Sequence, residues 1–279
     1  MPAHSLTSHI KSNVSAALDE DLRDGDLTAQ LISPTQTASA SVIARQEAVL
    51  CGTLWFEECF ISLDPTCKIH WAIAEGDIMS PGQQLCEVHG NARALLSAER
   101  CALNFLQTLS GTATLVRRYV EAVAGTGAKI MDTRKTLPGL RIAQKYAVSI
   151  GGGHNQRIGL FDGILIKENH IAAAGDIAQV LDQAFRINPA GVPIQIEVET
   201  LEQLFAALNA GAKLILLDNF SLVDLRLAVA HAAGRAELEA SGGITLERVR
   251  MVAETGVNRI SIGALTKDVT AIDLSMRFA

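Results

Sequence analysis

Residues 163–219 read GILIKENHIAAAGDIAQVLDQAFRINPAGVPIQIEVETLEQLFAALNAGAKLILLDN. Three short runs rich in isoleucine, valine and leucine, at 163–168, 194–199 and 214–219, alternate here with helical stretches. Short apolar runs joined by helices are typical of βα units around a parallel sheet. Each run ends in a polar or charged group, so charged side chains gather at one end of the predicted strands.

The same alternation extends along the chain in both directions. Further runs of this kind lie at 128–133, 237–242 and 259–264. The spacing of roughly 20 to 35 residues is what parallel crossover connections need. Helix starts between the runs are marked by Thr200 with Gln203, by Ser221 and by Thr245. The pattern predicts an α/β barrel, whose catalytic groups lie at the carboxyl ends of the strands.

A separate α+β domain precedes the barrel in the sequence. It opens with a helix to about Leu22, continues with an alternating strand at 41–49 and contains a Gly-rich turn at 75–82. A long helix, from about residue 92 to 123 with a break near Gly111, follows a natural cap at Asn91. The predicted domains are 1–110 and 111–267, and we expect the tail at about 268–279 to pack back on the first domain.

The composition excludes several function classes. Of the 279 residues, 48% are hydrophobic, and the net charge is −6. Such a chain can bury a large core but lacks the spread basic charge of a nucleic-acid surface. No segment approaches the roughly 18 apolar residues of a membrane span, and the N-terminus lacks a signal-peptide pattern. We expect a cytoplasmic protein that binds neither nucleic acid nor membrane, with its five cysteines reduced and used in packing.

Cations concentrate between residues 131 and 170 of this otherwise acidic chain. They are Arg134, Lys135, Arg157 and Lys167. At a barrel mouth these side chains suit a small substrate with several negative charges, because guanidinium groups bind carboxylates and phosphates through paired hydrogen bonds. Three consecutive glycines at 151–153 allow the backbone to come close to a neighbour. A metal site built from Asp162, Glu168 and His170 matches no familiar ligand spacing and is not favoured.

Two carboxylates and two glycine-containing turns complete the predicted site. Glu197 and Asp218 end neighbouring strands, where they can hold Mg²⁺ or sugar hydroxyls, or stabilise a cationic transition state; structural ion pairing is the alternative. The turns SGGIT at 241–245 and SIGAL at 261–265 follow the last two strands. Barrels commonly bind phosphate there, so these turns predict a phosphate site.

Seven motifs occur in one order along almost the whole chain. They are ERCALN at 99–104, DTRKT at 132–136, GGGHNQR at 151–157, LIKENH at 165–170, EVE at 197–199, LDN at 217–219 and SGGI at 241–244. Together they resemble quinolinate phosphoribosyltransferase, also called carboxylating nicotinate-nucleotide pyrophosphorylase, of the type II phosphoribosyltransferases. The resemblance implies an N-terminal open α/β sandwich and a C-terminal, incomplete α/β barrel of seven strands or similar.

The implied reaction joins quinolinate to phosphoribosyl pyrophosphate with Mg²⁺ and yields nicotinate mononucleotide, pyrophosphate and CO₂ for NAD synthesis. The resemblance also implies a homodimer in which Arg100 is donated across the interface. The substrate-binding residues it implies are Arg100, Thr133, Arg134, Lys135, Gln156, Arg157, Lys167, Glu197, Asp218, Ser241, Gly242, Gly243, Ile262, Gly263 and Ala264. Among them, Lys135, Glu197 and Asp218 are the expected catalytic residues, and the last two are the expected Mg²⁺ ligands, directly or through the substrate.

One position departs from the family pattern. The family usually reads Gly-Gly-Gly-x-Asn-His-Arg, whereas here Gln156 stands at the histidine position and His154 lies two residues earlier. Gln156 can donate a hydrogen bond but carries no charge, and His154 could reach the same place from a Gly-rich loop. Thr136 and His170 are further candidates for the site.

Three rival functions remain at this point. The nearest is a relative of the same fold that acts on nicotinate or another aromatic acid. The second is a sugar-phosphate lyase that forms a Schiff base on Lys167. The third is a non-catalytic binding module, which would have no reason to cluster ionisable groups at successive strand ends.

Overall fold

A computed structural model describes residues 3–188 and 191–278, and the chain divides into two compact units. The first unit consists of Met1–Arg117, Thr136–Gly152 and Thr266–Ala279, and the second of Arg118–Lys135 and Gly153–Leu265. The division differs from the predicted boundary after residue 110, because the first unit runs on to Arg117 and also includes Thr136–Gly152. The C-terminal segment Thr266–Ala279 groups with this unit as well.

Helices and strands alternate through most of the described residues. The helices are α1 (Ala3–Leu22), α2 (Thr53–Leu63), α3 (Ala92–Ala122), α4 (Arg141–Ile150), α5 (Glu168–Ala174), α6 (Ile177–Arg186), α7 (Leu201–Asn209), α8 (Leu222–Ala232), α9 (Leu246–Ala253) and α10 (Ala264–Lys267), with a short 3-10 helix at Ala29–Leu31. The strands are β1 (Thr37–Ala44), β2 (Ala48–Val49), β3 (Lys68–Trp71), β4 (Ile78–Met79), β5 (Gln84–Asn91), β6 (Lys129–Met131), β7 (Ile164–Ile166), β8 (Ile194–Val198), β9 (Leu214–Asp218), β10 (Glu237–Ser241), β11 (Arg259–Ser261) and β12 (Leu274–Phe278).

The first unit is built on an antiparallel sheet with the strand order β12-β1-β5-β3. Its C-terminal strand β12 pairs with β1. The core contains the large aromatic side chains of α2, since Trp55, Phe56 and Phe60 are fully buried. The strand predicted at 41–49 is only partly right: β1 ends at Ala44, and β2 pairs instead with β4 inside the predicted Gly-rich turn.

The long helix α3 begins where the sequence predicts but has no break at Gly111. The Asn91 carboxamide oxygen accepts hydrogen bonds from the backbone N–H groups of Arg93 (3.0 Å) and Ala94 (3.2 Å), which caps the helix. A Cβ atom at position 111 would overlap the backbone carbonyl of Thr270. The glycine therefore allows two backbone segments of the first unit to pack closely against each other. The predicted break in the helix is wrong.

The cysteines are all free, as predicted. Cys51, Cys59, Cys86 and Cys101 are buried. Burial raises the pKa of the Cys86 thiol to about 12, so this side chain stays protonated and behaves as a small apolar residue.

The second unit contains the predicted parallel sheet. Within the described residues its six strands have the order β6-β11-β10-β9-β8-β7, and every neighbouring pair is parallel. This is the strand order of a barrel, because β6, the first of these strands in the sequence, pairs with β11, the last. No pairing joins β6 to β7, so the barrel is not closed. On the free side of β6, Met131 forms an isolated parallel bridge with His154. The incomplete barrel is confirmed, with six strands and one bridge.

The helix starts within this unit follow the predicted caps. The Thr200 hydroxyl accepts the backbone N–H of Gln203 at 3.3 Å, and the Ser221 hydroxyl accepts that of Asp224 at 3.2 Å. Helix α9 begins after Thr245 as expected, without a bond from a backbone N–H to its side chain. Among residues 3–188 and 191–278, no helix combines the length and apolarity that a membrane crossing needs.

Candidate active site

A cleft of about 240 Å³ opens at the carboxyl ends of the barrel strands, within the second unit. Its lining consists of Thr133, Arg134, Lys135, Gln156, Arg157, Leu165, Lys167, Glu197, Leu216, Asp218, Ser241 and Ser261. All of these except Leu165, Leu216 and Ser261 were expected from the sequence. The structure therefore brings cations and carboxylates from separate segments into one cavity.

A second set of side chains, which the sequence did not predict, lies in or next to the cleft. Each member lies two residues before a predicted site residue in the sequence. Leu165, Leu216 and Ser261 line the cleft. Gln195 and Glu239 bond to each other, and Glu239 also accepts a hydrogen bond from the lining residue Gln156. Successive side chains of a strand alternate between its two faces, so residues two apart point the same way. Counting back two positions from each predicted site residue at the end of a strand would have found this set.

The Arg157 side chain is fixed by its own loop. Its Nη1 donates to the Gly163 carbonyl at 2.9 Å. The Asp162 carboxylate accepts the backbone N–H groups of Ile158 and Gly159, both at 2.8 Å, and so closes the turn that carries the arginine. Asp162 thus has a structural role, and the described residues contain no cluster of three metal-ligating side chains.

The two arginines make one wall of the cleft strongly positive. Partial burial lowers the pKa of the Arg157 guanidinium, and the nearby positive charge of Arg134 lowers it further. The Asp162 carboxylate acts in the opposite direction. Two guanidinium groups close enough to repel each other favour an anionic ligand between them.

Lys167 and Glu197 form an ion pair across neighbouring strand ends. The Lys167 ammonium donates to both carboxylate oxygens of Glu197, at 3.0 and 2.9 Å. The Lys167 side chain is 44% exposed and the Glu197 side chain 12% exposed, so the lysine is the member of the pair that faces solvent. An ammonium held in this way is a poor nucleophile, since Schiff-base formation needs the neutral amine.

His170 supports Lys167 from outside the cleft. Its Nδ1 accepts the backbone N–H of Lys167 at 3.0 Å, at the start of α5. The ring therefore fixes the backbone that presents the lysine. His170 does not belong to the cleft lining.

The structure brings Gln156, and not His154, to the cleft. The backbone N–H of Gln156 donates to the buried Asp132 carboxylate at 2.8 Å, and its side-chain Nε2 donates to Glu239. His154 is exposed, and its backbone is used in the bridge to β6, where its N–H donates to the Ile130 carbonyl at 2.8 Å. Gln156, at the sequence position where the resembled pattern has a histidine, thus lines the cleft.

Glu239 carries a buried carboxyl group beneath the cleft. Only 1% of the residue is exposed. Its carboxylate accepts Nε2 of Gln195 at 3.0 Å in addition to the bond from Gln156. Burial raises its pKa, and the hydrogen bonds partly offset this. Glu239 therefore holds two glutamine side chains in place from below.

The predicted phosphate turns are only partly available to a ligand. Gly242 and Gly243 have φ angles of +101° and +57°, which glycine adopts readily. A Cβ atom at Gly263 would lie 3.0 Å from Cδ of Lys135, so the lysine stem passes directly over this glycine. Ile262, however, is buried, and its N–H donates to the Met131 carbonyl at 3.1 Å, so it is not available to a phosphate.

Two predicted site residues belong to the first unit. Arg100 lines a separate cavity of about 200 Å³ together with Glu20 and Asp21. The Thr136 hydroxyl accepts Nε of Arg141 at 3.1 Å, which fixes the loop before α4.

Two family models match nearly the whole chain. The model of the quinolinate phosphoribosyl transferase N-terminal domain matches residues 26–110. The model of the C-terminal domain of the same family matches residues 112–277.

Curated proteins and solved structures agree with these models. A "probable nicotinate-nucleotide pyrophosphorylase (carboxylating)" of Bacillus subtilis is 44% identical over 92% of this chain and 89% of its own length. The decarboxylating quinolinate phosphoribosyltransferase 1 of Nicotiana glauca is 38% identical over 99% of this chain and 84% of its own. The structure of the nicotinate-nucleotide pyrophosphorylase from Francisella tularensis superposes with a TM-score of 0.95 at 42% identity, covering 98% of this chain and 97% of that one.

Proposed function

The chain belongs to the quinolinate phosphoribosyltransferase family, and from this premise we propose how its cleft performs the family's reaction. The enzyme is a pentosyltransferase of NAD biosynthesis that converts quinolinate and phosphoribosyl pyrophosphate into nicotinate mononucleotide, pyrophosphate and CO₂. The observation that best supports this function is one cleft lined by two neighbouring arginines and by two carboxylates near neighbouring strand ends.

Arg134 and Arg157 bind the two adjacent carboxylates of quinolinate. A guanidinium group donates two parallel hydrogen bonds to a carboxylate, and the fixed plane of Arg157 sets the orientation of the ring. Gln156 adds hydrogen bonds without charge, while Lys135 and Lys167 supply point charges nearby.

Glu197 and Asp218 act on the sugar. As the bond between C1 of the ribose and the pyrophosphate breaks, positive charge develops at C1, and carboxylates held at fixed positions stabilise it. The ring nitrogen of quinolinate then bonds to C1. Lys167 keeps Glu197 in place through the ion pair, so its part in the reaction is also positional.

The 5-phosphate lies at the turns after the last two strands. Ser241, Gly242 and Gly243 offer a hydroxyl and backbone groups, and the ammonium of Lys135 stands over Gly263 beside them. Ile262 is left out of this set because its N–H is already used within the barrel.

The residues present also fit a Mg²⁺ ion carried with the substrate. Magnesium usually binds through one or two carboxylates, with substrate phosphates and water completing its shell. Glu197 and Asp218 offer that number, and the described part of the chain has no cluster of three metal ligands. The ion would neutralise charge on the departing pyrophosphate.

Decarboxylation follows from the first step. Once ribosylated, the ring nitrogen is cationic. It stabilises the electron pair left on the adjacent ring carbon when CO₂ departs, and a proton then takes the place of CO₂ on that carbon. The protein needs to orient the ring for this step rather than to supply a dedicated base.

Arg100 acts in a homodimer, where it enters the cleft of the partner subunit. The supporting observations are that Arg100 is exposed on the first unit and that a dicarboxylate offers acceptors for more than two guanidinium groups. Co-expression of R100A with R157A tests this. Each homodimer should be inactive, whereas the mixed dimer should regain activity because one of its two sites is intact. Inactive mixed dimers would overturn the shared site.

Incubation of the purified protein with quinolinate, phosphoribosyl pyrophosphate and Mg²⁺ tests the function. We expect nicotinate mononucleotide and pyrophosphate in equal amounts. Turnover of nicotinate with none of quinolinate would assign the chain to a relative that acts on a mono-acid. A cytoplasmic location stays a prediction from the sequence.

A further inference from the structure

Asn219 links the two ends of the cleft that the proposed function assigns to the sugar and to the phosphate. It follows Asp218 at the carboxyl end of β9. Its side-chain Nδ2 donates to Oδ2 of Asp218 at 2.8 Å, and its backbone N–H donates to the Ser241 carbonyl at 3.0 Å. Asp218 and Ser241 are themselves register partners on neighbouring strands.

The backbone conformation of Asn219 makes this arrangement possible. Its φ angle is +57°, a left-handed conformation that asparagine tolerates better than most residues other than glycine. The turn after Ser241 is shaped around the asparagine. A Cβ atom on Gly242 would lie 2.7 Å from Cγ of Asn219 and 2.9 Å from its backbone nitrogen, and would overlap its side-chain oxygen.

We propose that Asn219 is a positioning residue that sets the Asp218 carboxylate and the Ser241–Gly243 turn relative to each other, so that phosphoribosyl pyrophosphate meets a preorganised site at both its sugar and its phosphate. The hydrogen bond engages one oxygen of Asp218 and thereby fixes the plane of the carboxylate. The packing of Gly242 against the same side chain fixes the path of the turn. The inference rests on the proposed roles of Asp218 and of this turn.

The role of Asn219 should be visible as a difference between the two substrates. The arginine wall that receives quinolinate has its own anchor, because Arg157 is held by Gly163. Loss of Asn219 should therefore weaken the binding of phosphoribosyl pyrophosphate and leave that of quinolinate nearly unchanged.

The variant N219G tests the proposal while keeping the fold. Glycine adopts the left-handed conformation and retains the backbone N–H, so only the side chain is lost. We expect the KM for phosphoribosyl pyrophosphate to rise on the order of 10- to 100-fold, the effect of one hydrogen bond to a charged group. The KM for quinolinate should stay within about threefold.

Two further variants separate positioning from general damage. N219D keeps the size of the side chain but places a second carboxylate beside Asp218, so it should impair phosphoribosyl pyrophosphate binding at least as strongly. A233G is the matched control, since Ala233 also has a left-handed φ (+46°) but lies directly after α8, as its C-cap. It should leave both KM values unchanged.

Calorimetric titration with phosphoribosyl pyrophosphate and Mg²⁺ gives a readout independent of turnover. N219G should bind it 10- to 100-fold more weakly than the wild type, on the order expected for one charged hydrogen bond. Equal affinity in the two proteins, or an equal rise of both KM values, would overturn the inference. If the wild type binds phosphoribosyl pyrophosphate but does not turn over quinolinate, the proposed function fails while the titration still decides the role of Asn219. A wild type that binds no phosphoribosyl pyrophosphate would refute both.

Discussion

Replacement of Arg157 by lysine should impair quinolinate recognition without removing the positive charge. The arginine guanidinium is oriented by the 2.9 Å bond from Nη1 to the Gly163 carbonyl, which leaves a planar edge for a carboxylate. Lysine presents a single ammonium that cannot keep this anchor and also donate two parallel bonds. The variant loses at least one charge-assisted hydrogen bond, of about 1.5–3 kcal/mol. That corresponds to a roughly 10- to 100-fold fall in kcat/KM for quinolinate.

Steady-state kinetics with each substrate varied in turn measures this effect. The KM for phosphoribosyl pyrophosphate should change little, because the proposed arrangement assigns Arg157 to quinolinate and Glu197 and Asp218 to the sugar. R186K is the matched control, since Arg186 pairs with Asp182 at 2.6 Å on the exposed surface of α6. Unchanged kcat/KM for quinolinate in R157K, or an equal loss for both substrates, would refute the assignment of Arg157 to a carboxylate.

Three further outcomes follow from the structure. The pKa of Glu239 is raised above its ordinary value of 4.5 in the folded protein. As the pH rises, the carboxyl group therefore ionises in the unfolded chain before it does in the folded one. The free energy of unfolding falls as a result, from about pH 4.5 up to the folded pKa. Glutamine does not ionise, so urea unfolding should show that the stability of E239Q increases relative to that of the wild type between pH 4.5 and pH 7. A stability difference that is the same at both pH values would contradict the raised pKa of Glu239. Alanine in a helix interior normally raises the stability by about 1 kcal/mol relative to glycine. G111A should instead lower the free energy of unfolding by about 1–3 kcal/mol, because the new Cβ atom would overlap the Thr270 carbonyl. A higher urea midpoint for G111A would disprove that contact. Borohydride added during turnover should trap no substrate on Lys167, because this lysine is paired with Glu197. A covalent adduct on Lys167, seen by mass spectrometry, would support the rival function of a Schiff-base lyase.

The barrel and most of its charged rim could be predicted from the sequence because both depend on local pattern. Apolar runs such as 194–198 and 214–218 mark strands, and the charged residue near the carboxyl end of each run, Glu197 or Asp218, must lie near the common edge of a parallel sheet. Neither inference needs a long-range contact to be known.

The residues that were missed depend on contacts between distant parts of the chain. Glu239 is distinguished from Glu237 by burial, which a strand pattern alone does not fix for a barrel covered on both faces. The importance of Asn219 comes from the turn of a neighbouring strand, and that of Gly111 from a carbonyl more than a hundred residues later. The choice between His154 and Gln156 likewise required the bridge that uses the His154 backbone.

The most direct test of the central claim follows the carboxylate next to the ring nitrogen. Quinolinate labelled with ¹⁴C in that carboxyl group is incubated with the enzyme, phosphoribosyl pyrophosphate and Mg²⁺, and radioactivity is counted in trapped CO₂ and in the nucleotide. Phosphoribosyl transfer followed by decarboxylation in this cleft predicts one labelled CO₂ for each nicotinate mononucleotide, with no label left in the nucleotide. Label retained in the nucleotide, or CO₂ released without nucleotide formation, would contradict it.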